Sequence, residues 1–194
     1  MNGKIAALTL ALLPALAGAR DLGPGTFELS GGTNLNFGSR TYELTNPAFV
    51  GKYEVDESTF ALNTDALFYV VRNLGVGLAL QYQKTEWDDG VDEWESSYSF
   101  IGPEVKYNLA VAPSVSIIFG GGLGRLAFTD LDGEDADGWG LTLGAGARFF
   151  VVDAVAFDAT LNYLTGSVED DFNTDTDVSG WNIGAAVSVF FGGR

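Results

Sequence analysis

The chain of 194 residues has no cysteine and no histidine. The first absence excludes a disulfide framework and a thiolate nucleophile. Together they exclude a Ser/His triad and a zinc site of the usual ligands. Bases are scarce too. Ten Lys and Arg stand against 26 Asp and Glu, for a formal net charge of −16. That balance argues against a nucleic-acid partner, because phosphates would be repelled. Beyond the N-terminus no apolar segment approaches the roughly 20 residues of a helical membrane span. What is plentiful is glycine, at 26 residues, and aromatic side chains, at 13%.

Residues 1–19 read as a secretory signal. Lys4 lies in a short first region, and an apolar run follows over 5–16, broken by Thr9 and Pro14. Ala17-Gly18-Ala19 then supplies an A-x-A cleavage site. An N-terminal anchor helix is the alternative, but the run is short for one. No cysteine follows it, so a lipoprotein is not expected. Residues 20–194 are the expected mature domain, of a size usual for one folding unit.

Residues 181–191 carry the clearest pattern. Trp181, Ile183, Ala185, Val187, Val189 and Phe191 share one face, and Asn182, Gly184, Ala186 and Ser188 share the other. A period of two marks a strand. An apolar stripe with an aromatic at each end, opposite small residues, suits a strand that crosses a membrane. Seven more runs alternate in the same way, over 27–37, 59–71, 75–84, 97–109, 115–128, 139–151 and 155–165. The run 115–128 is the ambiguous one: its Gly120-Gly121-Gly122-Leu123-Gly124 leaves the register open to a bulge or bend. The same glycines lack the Lys and helix of a phosphate loop. Connections after runs two, four and six are short, and the others are longer and polar. That asymmetry is the pattern of an outer-membrane barrel. A soluble barrel also alternates, but its outward face needs Lys, Glu and Thr, whereas here the second face is largely Gly, Ala, Ser and Asn. Small residues fit the lumen of a narrow barrel.

The signal, the eight runs, the acidic loops and the near-terminal Phe191 resemble the OmpA/OmpX-like outer-membrane β-barrels, including the opacity-type surface proteins. The segment Ile101-Gly102-Pro103-Glu104-Val105-Lys106-Tyr107 is similar to that group's fourth-strand pattern. The resemblance implies a terminal aromatic read by the barrel-insertion machinery; this chain places Gly192-Gly193-Arg194 after it. Outer-membrane enzymes of this size that act on lipids are similar in needing a His beside a Ser, which this chain lacks.

The charges sort into two sets. The long loops hold twenty carboxylates against three bases, Arg40, Lys52 and Lys84. Solubility is the plain reading; divalent-cation binding and attraction of cationic partners are the sharper ones. Asp130, Asp132 and Asp135 form part of a calcium loop without full EF-hand spacing, and Ca²⁺ there is the one ion the sequence leaves open. Trp87 and Trp94 flank the second acidic cluster and read as interfacial girdle residues. The second set falls on the small-residue faces: Glu28, Asp65, Glu104, Lys106, Arg125, Arg148 and Asp158. A charge in a packed lumen must be paired, so these are expected to form a salt-bridge network that plugs the barrel, or a gate in a narrow pore.

The sequence thus predicts an all-β protein, an eight-stranded antiparallel up-and-down transmembrane β-barrel in a Gram-negative outer membrane, its long loops extracellular. The expected role is envelope integrity or adhesion, without catalysis or cofactor; a narrow channel for ions or small solutes is the alternative. Expected partners are outer-membrane lipid and lipopolysaccharide, the insertion machinery and a surface protein. A closed barrel has no free edge, so a monomer is expected.

Overall fold

The computed structural model describes residues 21–34, 40–42, 53–88, 93–129, 135–170 and 175–192. The signal reading, and Leu35 and Phe37 of the first run, lie outside these. Among the described residues there are nine strands and no helix: β1 (Thr26–Asn34), β2 (Arg40–Tyr42), β3 (Tyr53–Val71), β4 (Leu74–Asp88), β5 (Glu93–Ala112), β6 (Val115–Thr129), β7 (Asp135–Val152), β8 (Val155–Asp170) and β9 (Asp175–Gly192). The extra strand does not add a stave. β1 pairs with the part of β3 from Asn63 to Phe68, and β2 with the part from Tyr53 to Val55. The two are successive pieces of one stave in an eight-stave ring.

Every neighbour is antiparallel, and β1 closes the ring by pairing with β9 as well as β3. The closure is staggered. Stepping across the ladder from Phe27 leads to Phe68, Val76, Val105, Gly121, Leu143, Tyr163 and Trp181. Yet Phe27's own partner across the seam is Phe191, ten residues beyond Trp181. Such a stagger is what tilts the strands and sets the width of the barrel.

The glycine run in β6 holds no bulge. Its pairing with β5 keeps one register on both sides of Pro103, and its pairing with β7 is unbroken from Val115 to Thr129. Irregularities fall elsewhere, at Tyr69/Val71, Ala110/Ala112 and Phe150/Val152. Each adjoins a two-residue turn, at Arg72-Asn73, Pro113-Ser114 and Asp153-Ala154. The turns are stitched to the next strand: the carbonyls of Asn73, Ser114 and Ala154 accept from the amides of Asn108, Phe150 and Phe190 at 2.8, 2.8 and 2.9 Å. Asn73 has φ 65°, a left-handed conformation that Asn tolerates better than most residues.

At this turn end the segment before β1 seals the lumen. Leu22 is buried with Tyr69, Phe150, Ala156 and Phe190. Its amide donates to Asn73 Oδ1 and its carbonyl accepts from the Asn73 amide, both at 2.8 Å. Asp21 accepts from Asn73 Nδ2 at 2.7 Å and pairs with Arg72. The Arg72 guanidinium holds the Asp21 carboxyl below its ordinary range.

The outer and inner faces exchange character along each strand. Near the turns the outside is apolar: Phe149, Leu143, Leu141 and Trp139 on β7, and Phe191, Val187, Ile183 and Trp181 on β9, are all exposed. Residues 139–149 and 181–191 each cover eleven positions, close to the 9–11 residues of a tilted membrane-spanning strand. Towards the loops the outside turns polar: Asp137 and Asp135 follow on β7, Ser179 and Asp177 on β9, Ser97 and Glu95 on β5, Ser167 and Glu169 on β8. There the inside becomes apolar instead, with Phe100, Leu126, Leu164 and Val168 buried together and Tyr98, Phe128, Ala136 and Val178 packed on them. The inversion marks where the strands leave lipid and enter water.

Truncating the turn-end seal should be costly. Leu22→Ala is expected to lower the unfolding free energy of the refolded barrel by about 2–5 kcal/mol, the usual range for a buried leucine. An unchanged urea midpoint would mean that the segment before β1 does not hold the barrel shut.

Candidate functional site in the lumen

Four layers fill the lumen. Above the apolar seal lies a band of charge, then a polar cavity, then the apolar cluster at the loop end. From the charged band towards the loops, the inward residues of β5 read Lys106, Glu104, Gly102, Phe100 and Tyr98, and so sample the upper three layers in order.

Arg148 is the hub of the charged band and is fully buried. Its inward direction follows from the alternation of β7, which puts Thr142, Gly144, Gly146 and Arg148 on one face. Nε and Nη2 donate to the two oxygens of Asp158 at 2.8 and 2.7 Å. Nη1 and Nη2 donate to the two oxygens of Glu28 at 2.9 and 2.5 Å. The planar guanidinium thus serves two carboxylates in fork geometry, which a point charge could not do. Tyr69 Oη donates to Glu28 Oε2 at 2.6 Å, and Ser188 Oγ donates to Asp158 Oδ2 at 2.7 Å. The Phe190 ring, 5.0 Å from the guanidinium carbon, covers it from the seal.

Lys106 extends the network. Its Nζ lies 2.9 Å from Asp65 Oδ2 and 3.5 Å from Glu28 Oε1. Ser30 Oγ donates to the same Asp65 oxygen at 2.6 Å. Six of the eight staves, those of β1, β3, β5, β7, β8 and β9, contribute a side chain to one connected set.

Next comes a cavity of about 90 Å³, bordered by Asp65, Glu104, Thr142, Thr160, Asn162 and Asn182. Glycines make the room. A Cβ on Gly144 would lie 2.5 Å from Asn162 Oδ1, and one on Gly120 would lie 3.2 Å from Glu104 Oε1.

The structure brings six of the seven expected lumen charges to the inner face. Arg125 is the exception. β6 has its even-numbered residues inward, so Arg125 points outward, where it pairs with Asp137 and lies over the Trp139 ring at 5.9 Å. The unresolved register of the glycine run is what had placed it inside. Glu104 faces the lumen but makes no direct ion pair, so it is in the band without being held by it. Trp87 and Trp94 are not girdle residues: they pair across β4 and β5 on the inward-facing register, at the barrel mouth above the membrane band. The girdle near the loops is instead Tyr82, Trp139, Tyr163 and Trp181, the last two in ring contact at 4.7 Å. Of the calcium-loop residues, Asp130 and Asp132 lie outside the described residues; Asp135 accepts from Thr129 Oγ1 at 2.8 Å. Among the described residues no group of three acidic side chains is arranged to hold a metal ion. Tyr69, Ser188 and Ser30 join the expected charges in the network, and strict alternation puts all three on the inner face.

These distances predict unequal mutants. Arg148→Ala strands two buried carboxylates and should cost about 3–5 kcal/mol in urea unfolding, as broken buried pairs do. Glu104→Ala strands no base and should cost far less. Equal losses would contradict the pairing described.

The comparisons agree with this architecture. Neisserial surface protein A, whose crystal structure is known, is 18% identical, with a TM-score of 0.57 over 86% of this chain and 97% of its own. The N-terminal β-barrel domain of Pseudomonas aeruginosa OprF is 13% identical, with a TM-score of 0.50 over 87% and 99%. At such identities the likeness speaks to fold alone. No curated protein sequence matches the chain. Residues 5–191 match the family described as outer membrane protein beta-barrel domain. The chain belongs to that family, and its place is the Gram-negative outer membrane, with the short turns towards the periplasm.

Proposed function

We propose that the protein is a non-catalytic surface barrel whose lumen is a structural plug and whose working part is an acidic collar just outside the membrane. The carrying observation is where the rim carboxylates point. Glu86, Glu95, Asp135, Asp137, Glu169 and Asp177 all lie on outward-facing positions of their strands, above the aromatic girdle. They face neighbouring headgroups and solvent, not the lumen. Lys84 and Arg125 are among them at the boundary. Lys84 Nζ lies 2.7 Å from Glu95 Oε2 and 3.0 Å from Glu86 Oε1, and these partners raise its pKa.

A collar of this sign beside lipopolysaccharide phosphates repels them unless divalent cations stand between. Hard cations with carboxylate and phosphate oxygens around them meet the coordination that Ca²⁺ favours. The reading is therefore envelope integrity through cation bridging, with adhesion to cationic surfaces as the same chemistry towards a partner. The lack of His and Cys supports a role without catalysis.

Calcium titration of the refolded barrel in lipopolysaccharide vesicles tests this. Ca²⁺ should bind with measurable heat and raise the unfolding temperature. A variant carrying Glu86→Gln, Glu95→Gln, Asp137→Asn and Glu169→Gln should lose most of both effects. No heat from the native protein would remove the bridging role.

The lumen cavity favours a second reading, a narrow channel in which the Arg148 forks act as the gate. Eight staves leave no open bore without rearrangement, so conduction requires that network to part. Discrete steps in a planar bilayer that change in Arg148→Lys would support it, and a silent bilayer with folded, inserted protein would reject it.

A further inference from the structure

The lumen holds more acid than base. Among the described inward-facing residues of the membrane band, Glu28, Asp65, Glu104 and Asp158 stand against Lys106 and Arg148. With Arg125 outside the barrel, the acids exceed the bases by two. Three of the acids share the two bases. Arg148 engages Glu28 and Asp158, and Lys106 engages Asp65 and Glu28. Glu104 is left over.

Two carboxylate oxygens of this set then stand without hydrogen-bond partners. Glu104 Oε2 and Asp65 Oδ1 are buried and accept from no group of the protein. Both residues border the cavity of about 90 Å³. By the same measure one water needs about 10–15 Å³, so the space is enough for a small ion with part of its hydration. The rest of the border carries oxygens of Thr142, Thr160 and Asn182. A buried carboxylate oxygen with no donor is costly unless something positive meets it.

We propose that this cavity binds one alkali cation of Na⁺ size, drawn by the free oxygens of Glu104 and Asp65 and completed by water and the hydroxyl and amide oxygens around them. Among the described residues no three acidic side chains come together as a divalent ion would need, so the occupant proposed is singly charged. The proposal stands apart from the collar's role, since it concerns the interior.

The test is urea unfolding of the mature barrel in zwitterionic detergent, in NaCl and in N-methyl-D-glucamine chloride of equal ionic strength. The bulky cation matches the screening but is too large for the cavity. The midpoint should rise saturably with Na⁺ and not with the bulky ion. Glu104→Gln should abolish the Na⁺-specific rise and, because it removes a buried charge that nothing meets, should not lower the midpoint in the bulky salt. Gly120→Ala keeps every charge but sets a methyl 3.2 Å from Glu104 Oε1, so it should weaken the rise, and it serves if Glu104→Gln does not refold. Identical midpoints in the two salts would overturn the proposal. So would a Na⁺-specific rise that survives both variants, which would put the ion elsewhere. A carboxylic-acid infrared band that ignores Na⁺ and vanishes in Glu104→Gln would also overturn it, because a proton would then be what neutralises the site.

Discussion

Inside a bilayer a peptide group has no water to fall back on, so every N–H and C=O needs a partner in the protein. The fold depends on how β1 meets that demand. Its nine residues pair with β9 on one side, and six of them, Phe27–Gly32, pair with β3 on the other. Over those six residues β1 has no free edge, and the described ladder closes. Closure with a stagger of ten residues also determines how wide the lumen is. At eight staves the interior is narrow, and the inner positions divide into residues too small to meet and residues long enough to interlock.

Arg148 shows what interlocking achieves. Taking a guanidinium and two carboxylates out of water is expensive, and such a cluster is weak evidence of net stability. Its clearer effect is on register. A slip of β7 by one residue would carry Arg148 to the lipid face and strand Glu28 and Asp158 in the interior. Side chains from six staves meet in the band, so a slip in any of those staves breaks a charged contact. The small residues of the cavity layer cannot exert such control; Gly120 and Gly144 tolerate any neighbour that leaves them space.

Most of the architecture was legible because period-two alternation is strong where one face meets lipid. Residues 181–191 announce both faces without ambiguity, and the aromatic at each end marks the band. Legibility failed where side chains vanish. Across Gly120, Gly121, Gly122 and Gly124 there is no apolar stripe to read, and the direction of Arg125 was lost with it. It failed again above the membrane, where the rule reverses: an acidic exterior and apolar interior make Trp87 and Trp94 inner-facing, although their neighbours in sequence suggest an interface. The identity of the lumen charges was readable from strand parity. Who pairs with whom was not, because that depends on the stagger, which no single strand contains. Glu104 sits one inward position from Lys106 on the same strand, yet Lys106 turns to partners on β1 and β3.

The stitched turns have a consequence for how such a molecule can be built or rebuilt. Asn73, Ser114 and Ala154 each give a carbonyl to the strand that follows their own hairpin. No hairpin is therefore finished by itself; like a shingle, each is held down by the next one laid. Shortening or enlarging the barrel by whole hairpins leaves an overlap with nothing to cover it. A chain laid down in order completes each overlap in passing. The final overlap, Phe190 onto Ala154, forms beside the residue that meets Phe27 and shuts the ring.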